Sequence, residues 1–110
     1  MEKFSLTALA RTQLESARGS ASGRSATTVY GGHEHSLRQT LIAISAGHML
    51  AEHSNPGEAT VHVLLGRVVL ASEGASWEGS NGDLLIVPDA PHSLEALEDS
   101  AVLLTVAKRE

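Results

Sequence analysis

Cysteine is absent from the 110-residue chain, which removes disulfides, thiolate nucleophiles and thiolate metal ligands together. Any metal would have to be held by imidazole, carboxylate, amide or water. Aromatic residues are scarce: Phe4, Tyr30 and Trp77 make up 3% of the sequence, too few to build a stacking box for sugars or nucleobases. No basic run exceeds the pair Lys108 and Arg109, and the formal net charge is −5, so the electrostatic footprint of a nucleic-acid or anionic-membrane partner is missing. No apolar stretch approaches the roughly 18 residues of a membrane span, and the N-terminus lacks a basic segment followed by an apolar one. These absences lead us to expect a cytoplasmic protein with neither a nucleic-acid nor a membrane partner. A Gly-rich phosphate loop, a Ser nucleophile elbow and a zincin signature are also lacking, which sets aside nucleotide hydrolysis and nucleophilic acyl transfer.

What is present fits one small globular core, with 42% hydrophobic and 19% charged residues. Leu6, Leu9 and Leu14, with Ser5 or Thr7 available as an N-cap, predict a short amphipathic helix over residues 5–18. Residues 19–26 are small and turn-rich and read as a linker. The expected division is therefore an N-terminal helix or tail over 1–26 and a folded domain over 27–110. Beyond it, β-type runs alternate with turn signals: Leu37 to Ser45, His48 to His53, Ala59 to Leu65, Val68 to Ala71, Ala75 to Glu78, Leu84 to Val87, His92 to Ala96 and Ala101 to Ala107. Short strands at regular spacing without intervening helices predict an all-β, antiparallel sandwich or barrel. Four of the runs are apolar on both faces, including Val61 to Leu65 and Val102 to Val106. A solvated outer face would alternate, so something must cover it. A homodimer contact, with the N-terminal segment packed across it, is the expected cover, the alternative being this chain alone.

The turn residues and histidines stand at a spacing that resembles a known family. Gly47, His53, Asn55, Ala59 and Gly66 reproduce the intervals of the first cupin motif, which normally reads Gly, His, His, Glu and Gly. Gly82, Pro88, Ala90, His92 and Ala96 resemble the second motif. The resemblance spans about residues 37–107 and implies a jelly-roll-like antiparallel β-barrel in which the strand bearing His53 lies opposite the strand bearing His92. It also implies a pocket for a small organic ligand, and for metal-bearing members, oxygenation or isomerisation. The departures are substantial. Asn55 replaces the second His, Ala59 the Glu and Ala96 the usual Asn, and the turn before His92 is one residue short. Two imidazoles and an amide make a poor first shell for a divalent ion such as Zn, Fe, Mn or Ni.

Candidate residues follow from that frame. His53 and His92 are the expected pocket residues, as metal ligands or as acid and base near neutral pH. Arg38 and Gln39 are expected to line the pocket as anion or amide contacts, beside Asn55. His62 completes a three-histidine set only if a bulge turns it inward, because strict alternation from Ala59 points it to the other face. His33 and His35, two apart in a glycine-flanked segment, form a further metal-capable pair. His48 is expected on the surface, Glu58 in a solvated turn unless a register shift brings it in, and Trp77 in the core. Three readings stand side by side: a cupin whose pocket holds a divalent metal and a small ligand, a metal-free small-molecule binding or sensory module, and a purely structural dimer of no catalytic capacity.

Overall fold

A computed structural model describes residues 2–54 and 57–108. The helix forms where the leucine spacing places it, as α1 (Leu6–Arg18). Ser5 caps it, its Oγ accepting from the Ala8 N–H at 3.2 Å, which satisfies one of the orphan donors of the first turn. Among the described residues nine strands follow: β1 (Arg24–Tyr30), β2 (Leu37–Ile44), β3 (Met49–His53), β4 (Gly57–Leu65), β5 (Arg67–Ser72), β6 (Ala75–Ser80), β7 (Leu84–Val87), β8 (His92–Ala96) and β9 (Ser100–Lys108). All eight expected runs are strands. The segment read as a linker is not wholly one, because β1 begins inside it at Arg24 and pairs antiparallel with β2.

The strands form two sheets, one in the order β1-β2-β9-β4-β7 and one in the order β3-β8-β5-β6. Alternation then sorts every side chain. Ile42, Ile44, Ala59, Val61, Val63, Val87, Val102 and Val106 of the first sheet meet Val68, Leu70, Leu94 and Ala96 of the second in a single buried cluster. β-Branched residues dominate it, which suits the stiff, pleated surface they come from.

The outer face of the five-stranded sheet is also apolar, and α1 covers part of it. Ala10 packs with Leu41 and Ala101, and Leu14 and Ala17 pack with Ala43. Alanines on both sides let the helix lie close. Its C-terminal end is tied down by Asp99, which accepts from Arg18 Nε at 2.8 Å and from the Ala46 N–H at 2.8 Å. The Ala46 hydrogen bond, followed by that of Arg18, holds the Asp99 carboxyl below its usual value. The helix does not reach β7, where Leu84 and Ile86 remain 58% and 69% exposed. Trp77 also departs from expectation. It pairs with buried Leu70, but β6 is an edge strand and the indole stays 46% exposed.

The closed end of the barrel turns on Gly66. Its φ is +94°, and an added Cβ would meet the Asp99 carbonyl and the Ser100 side chain, with Ser100 Cα only 2.8 Å away. Ser100 is fully buried and its Oγ both accepts from the Arg67 N–H and donates to the Glu98 carbonyl. Gly74 has a similar φ of +81° with open space around it. Gly66→Ala should therefore cost backbone strain plus a clash with main chain, about 2–4 kcal/mol, and Gly74→Ala the strain alone, about 1 kcal/mol. Urea denaturation of the two variants compares these directly; equal losses would contradict the packing account.

Candidate functional site

The opposite end of the barrel carries the histidine pair. His92 starts β8 and alternates with Leu94 and Ala96, so it points between the sheets, and it is 3% exposed. His53 ends β3 and pairs with His92 across the ladder, yet Leu50 and His53 are three residues apart while their partners Leu94 and His92 are two apart. The extra residue is a β-bulge. Without it Leu50, which packs on the core, and His53 would face opposite sides. With it both turn inward, and the rings of His53 and His92 lie 4.6 Å apart between centroids, tilted by 59°. His53 sits exposed at the rim and His92 below it.

Each ring is held in the same way. His53 Nδ1 lies 2.9 Å from the Ala51 carbonyl and His92 Nδ1 lies 2.9 Å from the Ala90 carbonyl. A carbonyl oxygen only accepts, so both Nδ1 atoms carry protons, and in the neutral rings the lone pairs are on Nε2.

The facing wall is set by the register of the large sheet. Arg38, Val106, Ala59 and Val87 fall on one row across β2, β9, β4 and β7. The last three are buried in the core, so Arg38, half-buried, stands on the same inner face. Lys108 lies on that face too, two residues beyond Val106, and its Nζ donates to the Gly32 carbonyl at 2.7 Å and the His33 carbonyl at 3.3 Å. That tether draws the β1–β2 loop to the mouth.

The other candidates go elsewhere. Gln39 points to the outer face with Leu41, where its Nε2 donates to Thr105 Oγ1 at 3.3 Å, so it does not line the interior. His62 pairs with Leu84 and Leu103 on that outer face. The register shift in β4 falls beyond it, between Val63 and Leu65, so His62 stays on the outer face and does not join His53 and His92. Glu58 is exposed on the same outer face and lines a groove with Ile86 and Asp89, which leaves the carboxylate position of the first motif to Ala59. His33 and His35 are exposed in the β1–β2 loop, the latter with its ring 5.1 Å from that of Tyr30 in an edge-on contact. His48 is exposed, with Nδ1 3.0 Å from Ser45 Oγ. Asn55 lies outside the described residues. The inward placement of Arg38 follows from strand parity; the bulge in β3 was the feature that sequence alone did not reveal.

No protein-family model matches the sequence, and no curated protein matches it either. Solved structures do. A conserved protein of unknown function from Streptococcus pyogenes is 26% identical, covering 83% of this chain and 79% of that one at a TM-score of 0.74. An RmlC-like cupin protein from Desulfovibrio desulfuricans is 27% identical, covering 76% and 81% at 0.68. A variant of salicylate 1,2-dioxygenase from Pseudoaminobacter salicylatoxidans is 21% identical at 0.77, over 96% of this chain but 35% of the enzyme. Two facing antiparallel sheets closed around one core define a β-barrel of the cupin class. Its structural neighbours include cupin-superfamily, RmlC-like and cupin-2 proteins, and the fold of this chain is that of a cupin β-barrel.

The metal that the fold family implies can be tested on the donor set. Among the described residues no three His, Asp or Glu side chains gather where they could hold an ion. Two imidazoles alone fall short of the three good protein ligands of a catalytic divalent site. On this count the residues do not fit a resident metal. Nitrogen NMR at neutral pH tests the ring geometry: His53 and His92 should both show the Nδ1–H tautomer, the minor form of a free histidine side chain in water. Finding Nε2–H on either would show that its carbonyl contact is not made.

Proposed function

We propose that the barrel mouth is a metal-free binding site for a small organic molecule, the second of the three readings of the sequence. The observation that carries it is the imidazole pair at 4.6 Å with both Nδ1–H groups committed to main-chain carbonyls. So oriented, the exposed ring of His53 can accept from a ligand hydroxyl or amide through Nε2, with the His92 ring packed beside it. Val106, Ala59 and Val87 are buried on the same inner face, so the core beneath the mouth is aliphatic and suits the apolar part of a ligand. Oxygenation through a bound metal, which the family resemblance allowed, has too few ligands here to be proposed.

Protein purified without an affinity tag should carry well under one equivalent of Zn, Fe, Mn or Ni by elemental analysis. In chelator, a small organic ligand at about 100 times its Kd should stabilise the fold by about 2.7 kcal/mol, roughly 10 °C in Tm for a chain of this size, and His53→Ala and His92→Ala should erase that shift. Near-stoichiometric metal that disappears in both variants would reverse the choice between the readings.

We also place a homodimer contact on the part of the outer face that α1 leaves open. Leu84 and Ile86 present 58% and 69% of their surface on an edge strand, beside Thr60 and His62 of β4. Exposed aliphatic residues on an edge invite self-complementary pairing across a two-fold axis. Sedimentation should give a dimer for the native chain and a monomer for Ile86→Glu; a monomeric native chain at tens of micromolar would remove this contact.

A further inference from the structure

The strongest unexplained group in the barrel is Arg38. The residue is half-buried on the inner face and its side chain makes no hydrogen bond or ion pair with any described residue, whereas Arg18 and Arg67 both pair with carboxylates. A guanidinium has five N–H donors and no acceptor. Drawn partly out of water without a counter-ion, it is left with donors that only an anion or solvent can satisfy.

The surrounding carboxylates are placed so as not to supply that anion. Glu58 and Asp89 line the groove on the outer side of the large sheet. Glu52 lines a hollow on the outer side of the small sheet with Ser76 and Ser93, and Glu34 and Glu73 stand exposed in loops. Facing inward at this end are Arg38, the main-chain-tethered Lys108 and the imidazoles of His53 and His92. In a chain of net charge −5, the charged side chains on this inner face are thus two basic ones, Arg38 and Lys108, between low-dielectric walls that focus their field.

We infer that the ligand of this pocket is a small organic carboxylate, gripped by the Arg38 guanidinium while its remaining polar groups meet His53 and His92. The inference rests on the reading of the mouth as a ligand site and names the chemical class that site takes. A planar carboxylate matches the two parallel N–H groups of a guanidinium, a geometry an ammonium cannot reproduce. The aliphatic row of Val106, Ala59 and Val87 that continues from Arg38 across the sheet suits a ligand with an apolar body behind its charged end.

Calorimetric titration of the full chain tests this with a panel of monocarboxylates from acetate to phenylacetate, each beside its primary amide, and with inorganic phosphate. Imidazole NMR signals of His53 and His92 report whether each probe enters the mouth. The expected result is that at least one carboxylate binds with its amide at least tenfold weaker and phosphate weaker still. Arg38→Gln, checked for folding by circular dichroism, should lower carboxylate affinity to the level of the amide, and Arg38→Lys should recover only part of it. If acid and amide bind equally, Arg38→Gln changes neither, and the histidine signals still move, the pocket stands and the carboxylate assignment falls. Phosphate binding as tightly as any carboxylate overturns the organic class and leaves an oxyanion site. Should no probe move the histidine signals, the ligand-site reading fails and this inference with it.

Discussion

Along β4 every second side chain, Ala59, Val61 and Val63, points between the two sheets, and the chemistry of the barrel depends on that parity. It sends Glu58, Thr60 and His62 outward and leaves alanine where a carboxylate would otherwise face the mouth. The same parity carries across hydrogen-bonded neighbours, since residues paired on adjacent strands share a face. One row therefore fixes Val87, Ala59, Val106 and Arg38 together. A slip of one residue in β4 would bury Glu58 and His62 and expose three core side chains. That exchange costs several kcal/mol of apolar burial, so the register is strongly specified and the outward placement of His62 is a consequence of core packing.

A second local departure supplies the polar half of the mouth. The bulge in β3 reverses the parity between Leu50 and His53, allowing one strand to give both a core leucine and an inward histidine. Main-chain carbonyls of Ala51 and Ala90 then fix the two rings. Each of those carbonyls lies two residues before its histidine, so the ring orientation is local to its own strand and does not depend on the partner ring.

Most of the scaffold was readable from the residues because its signals are local. Glycine at the turns, proline after β7 and alternating or continuous apolar runs each mark an element within a few residues, and α1 announces itself by leucine spacing and a serine cap. β1 was missed because Arg24, Ser25, Thr27 and Thr28 carry little apolar signal; it is an edge strand with one partner, β2, and needs none. The candidate site was only half readable. His53 and His92 came from motif spacing, but the bulge that turns His53 inward has no sequence mark, and the difference between Arg38 and Gln39 is one of parity, which is known only once the register with β9 is fixed. Trp77 looked like core because indoles usually are; strand order, which puts β6 at an edge, overrode its hydrophobicity.

A divalent ion and a guanidinium meet a similar electrostatic need in different shapes. Both place positive charge in a low-dielectric mouth where a ligand oxyanion can neutralise it. The ion needs three or more converging donors to be held, whereas the guanidinium is held covalently by its own strand and needs none. Loss of a carboxylate at position 59 removes the negative ligand that would have favoured an ion, and it also removes the group that would otherwise have paired with a cation on the same row. With Ala59 there, the charge of Arg38 is available to something that enters from outside. On this argument one departure from the cupin motif, alanine at 59, and the arginine at 38 each make sense in the presence of the other, and the two imidazoles across the mouth keep a polar role without needing a metal between them.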